Sequence, residues 1–263
     1  MRINAVIPTE LLRPFILTYL IIDSPEEGIN KVLPDTSLVL AFHYKGSVSC
    51  VADNTDINLP SSSISGLRKS MRSFHYSKGT GNILVLFKEA GAAAFFKNPL
   101  HQLFNETVSL DQVISHRDLA VIEEQMAGAK NDTQIIDRIE KFLLSALYDH
   151  TPDKLISAAL QMIHLAKGTI KIKNLADALY ISQDAFEKRF RRVVGASPKQ
   201  FSSIVLMKSI TRRPMKRRLS DIAFDAGYCD QPHFNKDFRL FTGQTPTEFY
   251  KSPPHLEITD FIQ

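Results

Sequence analysis

Two stretches of this chain share one grammar at a fixed spacing of 48 residues, and that repetition constrains the fold more than any other feature. "DAFEKRFRRVVGASPKQF" (184–201) and "PHFNKDFRLFTGQTPTEF" (232–249) pair Phe186 with Phe234, Phe190 with Phe238, Gly195 with Gly243, Pro198 with Pro246 and Phe201 with Phe249. Upstream, "LADALYIS" and "IAFDAGYC" also correspond, but Ala176 meets Ala223 at a spacing of 47, so the second copy holds one extra residue in its turn. Matched punctuation in a sequence that is not low-complexity marks a duplicated structural unit.

Each copy reads as helix, turn, helix, cap. A short helix (174–180, then 221–226) carries an alanine where a second helix must cross closely. Ser182 can cap the next helix in the first copy, and Gly227 supplies a permissive backbone in the second. The longer helix presents Phe186, Phe190 and Val193, or Phe234, Phe238 and Phe241, at i, i+4 and i+7, an apolar ridge that goes inward at about 1.5–3 kcal/mol per side chain. Gly195 and Gly243 suit the left-handed position after a helix, and "SPKQ" (197–200) and "TPTE" (245–248) are capping boxes with proline at N1. Together these elements predict two helix-turn-helix units in tandem, about 172–195 and about 220–243.

The opposite faces carry the chemistry. Asp184, Glu187, Lys188 and Arg191 lie away from the first ridge, and Gln231, Asn235, Lys236 and Arg239 away from the second. Asn and Gln can bond adenine in bidentate fashion, Arg and Lys can reach guanine or phosphate, and a carboxylate can accept from cytosine N4. The second face is therefore the better suited to base readout, whereas Asp184 and Glu187 must meet a cytosine edge or tilt away from phosphate. Ser182, Arg192, His233, Arg212 and Arg213 are candidates for phosphate contacts. His233, beside Phe234 at a helix start, reads as a cap or phosphate contact rather than a base reader or metal ligand.

Charge points the same way once divided. Residues 1–150 carry a net −3 and residues 151–263 a net +7, while residues 167–218 alone hold 14 basic and 3 acidic side chains. Phosphate neutralisation with counterion release is one use of such a stretch, and a solvated basic surface is another. Within it, Pro214 in "RRPMKRR" should end or kink the connecting helix near Arg213; that run grips phosphate or serves as a solvated linker.

The first part reads as α+β. "SLVLAFHY" (37–44) and "NILVLF" (82–87) are short buried strands, and the polar "ADNTDINLPSSSISG" (52–66) between them is a loop or a pair of poor edge strands. In "DTQIIDRIEKFLLSALYDH" (132–150), Ile135, Ile139, Phe142, Leu143 and Ala146 form one apolar helical stripe, for packing on its own domain or for a dimer contact. "DHTPDK" (149–154) breaks that helix and starts another, with Thr151 as N-cap and Pro152 at N1. The division expected is an amino-terminal domain over 1–150, an all-α domain over 151–253 and a tail over 254–263.

Other classes find little support. The longest greasy run, "FILTYLII", has eight residues against the roughly 20 of a membrane span, and no secretory signal opens the chain; a cytoplasmic protein is expected. Cys50 and Cys229, 179 residues apart, read as reduced thiols. The histidines are scattered, with no HExxH helix, no G-x-S-x-G elbow and no phosphate-cradling glycine loop, so neither enzyme activity, metal nor cofactor is expected.

"IAFDAGYCDQPHFNKDFRLFTGQTPTEF" (222–249) resembles the AraC-type (AraC/XylS-like) bacterial transcription regulators, through Ile222-Ala223, Gly227-Tyr228, Asp230-Gln231, His233-Phe234, Phe238-Arg239, Thr242-Gly243 and Thr245-Pro246. The likeness covers about 100 residues, from near Asp153 to Lys251. It implies a seven-helix domain with two recognition helices in successive major grooves of double-stranded DNA, joined by a long helix. By position, Asp184, Glu187 and Lys188 would face bases in the first groove, and Gln231, Asn235 and Lys236 in the second. Leu206 stands where such proteins usually carry arginine. More weakly, the first part is similar to the sensor domains that precede this unit, including a strand that runs into an Ala-rich helix at "EAGAAAFF". Such domains are α+β, often with a barrel-like sheet, and bind a small-molecule effector or pair two chains into a homodimer. RNA polymerase is a further partner the resemblance implies. The alternative is a ligand-binding or interaction protein whose DNA-binding unit has decayed.

Overall fold

The computed structural model describes residues 1–52, 55–148, 151–212 and 218–251. Among the described residues the amino-terminal part has ten strands in two antiparallel sheets. The larger runs β1 (Arg2–Val6), β2 (Ile16–Ser24), β9 (Thr80–Phe87), β4 (Val39–Lys45), β7 (Ser62–Ser65), β10 (Thr107–Ser109). The smaller runs β3 (Gly28–Val32), β8 (Arg72–Tyr76), β5 (Val48–Ala52), β6 (Thr55–Asn58).

The continuous apolar runs of β2 and β9 follow from burial on both faces. Successive side chains point to opposite sides of a strand. Tyr19, Ile21, Ile83 and Val85 accordingly enter the main core, while Leu20, Ile22, Asn82 and Leu84 look toward the smaller sheet. Helix α1 (His116–Ala127) pairs with α2 (Asp132–Ala146), and α2 ties back to the sheet region through Glu140, whose Oε1 accepts from the Thr9 N–H at 2.9 Å. Of the expected stripe on α2, Ile135, Ile139 and Leu143 are buried and Phe142 and Ala146 half-buried, all packed within the chain.

Four details differ from the sequence reading. The two sheets do not close into a barrel: β1 and β10 end the larger, β3 and β6 the smaller. In the serine-rich 52–66 segment only β6 is an edge strand. β7 lies inside the larger sheet with Ile64 fully buried, because its serines find partners; Ser62 Oγ donates to Glu123 Oε1 at 2.7 Å. The Ala-rich stretch forms only a 3-10 turn over Gly91–Ala94. A Cβ at Gly91 would meet the Phe15 carbonyl oxygen at 2.1 Å, so the backbones touch where a helix would need room. Finally, Asp153 rather than Thr151 caps the next helix, its Oδ1 accepting from the Ile156 N–H at 3.1 Å.

From there the described chain is helical: α3 (Lys154–Leu165), α4 (Ile172–Ala178), α5 (Gln183–Val194), α6 (Pro198–Thr211), α7 (Leu219–Asp225), α8 (Gln231–Thr242) and α9 (Pro246–Phe249), seven helices among the described residues. Helix α6 ends at Thr211 with Arg212 as its C-cap; Arg213, Pro214, the rest of "RRPMKRR" up to Arg217 and the 254–263 tail lie outside the described residues.

Candidate nucleic-acid interface

The duplication read from sequence is a duplication of contacts. Phe186, Phe190, Phe234 and Phe238 are all fully buried. In the first copy the rings of Phe186 and Phe190 lie 5.6 Å apart and those of Phe190 and Phe201 5.7 Å; in the second, Phe234 and Phe238 lie 5.7 Å apart and Phe238 and Phe249 5.4 Å. Each aromatic chain runs along the long helix and ends on the helix behind it. Gly195 and Gly243 both sit left-handed, at φ 84° and 75°, and both capping boxes close, Ser197 with Gln200 and Thr245 with Glu248.

The extra residue of the second copy can now be placed. The Ile181 N–H donates to Ala176 and the Tyr228 N–H to Ala223, both at a spacing of 47; Ser182 caps α5 and Asp230 caps α8, at a spacing of 48. Cys229 is therefore the inserted residue. Gly227, at φ 83°, matches Tyr180, which holds the same left-handed turn at φ 54° with its ring in solvent.

With the ridges inside, the opposite flanks are free. On α5, Asp184, Lys188, Arg191 and Arg192 are exposed. Glu187 is half-buried and already engaged: it pairs with Arg191 at 3.7 Å and accepts from the Gln183 amide at 3.1 Å. That pairing softens the repulsion its carboxylate would offer to phosphate. On α8, Lys236 and Arg239 are exposed, while Gln231 and Asn235 are half-buried. Asn235 Oδ1 is covered and accepts no hydrogen bond, so in this conformation the amide does not offer both of its groups outward.

The phosphate candidates divide. Ser182 Oγ accepts from the Ala185 N–H at 3.4 Å, which leaves its own proton to donate. The backbone N–H of His233 donates to Asp230 Oδ1, and its ring, largely exposed, stacks edge-on against Tyr228 at 5.3 Å. Tyr228 in turn donates to Asp237 Oδ2 at 3.0 Å. Burial first, then Asp237, raises the Tyr228 phenol far above its usual range, so it remains a donor. Arg212 is exposed at the end of α6. Arg192 borders a groove of about 450 Å³ shared with Lys88, Lys97 and Tyr148 of the first part, so it faces that part of the chain as well as solvent.

Residues that sequence reasoning passed over brace this region, through one pair within the helices and three contacts to the first part. Arg189 on α5 makes a bidentate pair with Asp153, at 2.7 and 2.9 Å. Lys208 Nζ on α6 meets Asp35 Oδ1 at 2.6 Å, both side chains nearly buried. His164 Nε2 on α3 meets Glu89 at 2.8 Å. The Met71 N–H donates to the Leu240 carbonyl at 3.3 Å. The only sequence signal for the Lys208–Asp35 pair is the opposite net charge of the two parts, which names no pair.

Among the described residues no three His, Cys, Asp or Glu side chains gather as metal ligands, and no helix is long and apolar enough to cross a membrane.

Residues 175–252 match the model of a helix-turn-helix domain, and residues 4–109 match a domain of unknown function (DUF6597). The arabinose operon regulatory protein of Escherichia coli (strain K12) is 27% identical over 139 residues, covering 48% of this chain and 46% of that protein. An uncharacterized HTH-type transcriptional regulator of Haemophilus influenzae is 27% identical over 116 residues, covering 43% and 38%. The chain thus spans about half or less of the length of these relatives. Among solved structures, unsaturated fatty acid bound ToxT of Vibrio cholerae aligns over 92% of this chain and 97% of its own, at 14% identity and a TM-score of 0.40.

Proposed function

From the AraC-type helix-turn-helix domain that this chain carries at its carboxy-terminal end, we propose a sequence-specific DNA-binding transcriptional regulator. Residues 151–253 are its DNA-binding domain and residues 1–150 a domain that senses a signal or pairs two chains. One observation carries the reading: two equivalent helices bury their aromatic ridges and leave the basic side chains of the opposite flanks, Lys188, Arg191, Lys236 and Arg239, exposed. Helices α5 and α8 each enter a major groove. Lys188, Arg191, Gln231, Lys236 and Arg239 meet base edges or adjacent phosphates, with Asp184, Glu187 and Asn235 completing the two faces. Ser182, Arg192, Arg212, Arg213 and His233 hold register on the backbone, which positions without specifying.

The fitted test is selection of bound fragments from genomic DNA, followed by affinity measurement on the selected site at 50 and 200 mM salt. A regulator making about 6–10 phosphate contacts loses about 10³–10⁵ in affinity over that range. Gln231→Ala should cost about 1–3 kcal/mol on the selected site and little on random DNA, whereas Arg212→Ala should weaken both alike. A flat salt response would instead support an interaction protein with a decayed DNA-binding unit.

A further inference from the structure

A cavity of about 90 Å³ lies between the two sheets, outside the helical region altogether. Its walls are mainly apolar, with Leu20, Ile22, Val48, Phe74 and Leu84 among them. Into this lining come two polar side chains whose hydrogen bonding is incomplete. Arg68 is 9% exposed; its Nη2 donates to the carbonyls of Val32 at 3.2 Å and Leu33 at 3.1 Å, while its Nε is buried and donates to nothing. Asn82, 2% exposed on β9, has a buried Oδ1 that accepts nothing.

No carboxylate among the described residues lies within 4 Å of the Arg68 guanidinium, and Asp35, close enough to act on it, is already paired with Lys208. Burial, and then Arg72, lowers the Arg68 pKa only to about 10, so the group is charged at neutral pH. His43, also on the wall, is pushed by burial down to about 4 and is neutral there. A buried cation without a counter-charge is costly, and the cost is relieved by an anion that brings its own acceptor oxygens. The size of the void limits the guest: at about 10–15 Å³ per water-sized group, it takes about six to nine non-hydrogen atoms. One positive charge in an apolar void favours a monoanion over a phosphate dianion.

We propose that the cavity between the sheets binds a small monocarboxylic acid with an apolar body, its carboxylate on Arg68 and Asn82 and its hydrocarbon against Leu20, Phe74 and Leu84. Asn82 contributes by turning its amide to donate, an orientation its unpaired oxygen leaves open. The site is independent of DNA binding, and its test contains no DNA.

The experiment titrates the full chain by calorimetry with benzoate, pentanoate and hexanoate, and with benzamide, pentanamide and hexanamide as neutral counterparts. At least one acid should bind at one per chain and tenfold or more tighter than its amide. Arg68→Lys should lower that affinity at least tenfold. Ala41→Leu, which fills the void and leaves Arg68 in place, should abolish binding while circular dichroism and the unfolding transition stay as in the parent. Failure of all three acids overturns the proposal, as does equal binding of acid and amide, or undiminished binding by the folded Ala41→Leu chain.

Discussion

The two helix-turn-helix copies share their interior and differ in their surroundings. Helix α5 packs against α3, α4 and α6 and against the 3-10 turns Gly91–Ala94 and Leu100–Leu103 of the first part; α8 packs chiefly against α7 and α9. A Cβ at Gly195 would sit 3.3 Å from Leu100, and Arg189 is clamped by Asp153. The second copy leans on the first part through Met71, and it leaves Phe224 80% and Leu240 44% exposed. Nearly identical ridges are thus held at the centre of the molecule in one case and near its rim in the other. The duplicated motif supplies the fold of each unit; its neighbours set how firmly each is held.

The most severe way to break this comparison is to truncate equivalent rings. Phe190→Ala and Phe238→Ala each remove a fully buried side chain, which costs about 3–5 kcal/mol. Because α5 packs against both the other helices and the 3-10 turns of the first part, the first substitution should lower the stability of the whole chain in denaturant unfolding. The second should accelerate amide hydrogen exchange in α7 to α9 before it reaches the sheets. Equal exchange profiles for the two variants would show that both copies belong to one cooperative unit.

A smaller effect is expected from Gly195→Ala and Gly243→Ala. Both force a side chain into left-handed backbone, at about 1–2 kcal/mol. They should then diverge. The new methyl at 195 meets Leu100 backbone and Cβ, which cannot retreat; at 243 it meets only the Cε of Met71, 2.5 Å away at the free end of a flexible side chain. Gly243→Ala should therefore loosen the Met71 contact, read as a changed Met71 methyl resonance, and leave the core of its own copy intact.

Smaller again is removal of the hydroxyl caps, Ser197→Ala and Thr245→Ala, at about 0.5–2 kcal/mol each. Thermal unfolding should register Ser197→Ala fully, since α6 joins both copies, and Thr245→Ala only as local fraying of α9.

The least effect comes from acid, and it separates the copies by chemistry alone. Position N3 of the first capping box is neutral Gln200; in the second it is Glu248, whose oxygen accepts from the Thr245 N–H at 2.8 Å. The Thr245 backbone and hydroxyl hydrogen bonds hold the Glu248 carboxyl below its ordinary 4.5. A depressed carboxyl stabilises above its unfolded value and loses that contribution as pH falls through the folded one. Titration by NMR should thus move the Thr245 amide with a midpoint below 4.5 and leave the Ser197 amide still.

How much could be read beforehand follows from the range of the interactions involved. Caps, ridges and left-handed glycines act within about one helical turn, so residues 184–201 and 232–249 announced themselves, down to the closing of both boxes. Even the extra residue of the second turn was legible, though its identity as Cys229 needed the hydrogen bonds on either side of it. β7 and the turn at 91–94 were not legible. Serines in a sheet interior depend on partners such as Glu123, 61 positions away from Ser62, and Gly91 depends on a backbone 76 positions earlier, at Phe15.

By itself, then, the order of residues determined the tandem helical units, their inward faces and the α+β character of the first part, because each rests on local periodicity and backbone preference. Only the tertiary structure decided that the sheets stay open, that Lys208 closes on Asp35 and that Asn235 turns an oxygen inward. It alone set Arg68 beside an apolar void. Such pairings join positions far apart in sequence, and composition reports that both partners exist without saying which of them meet.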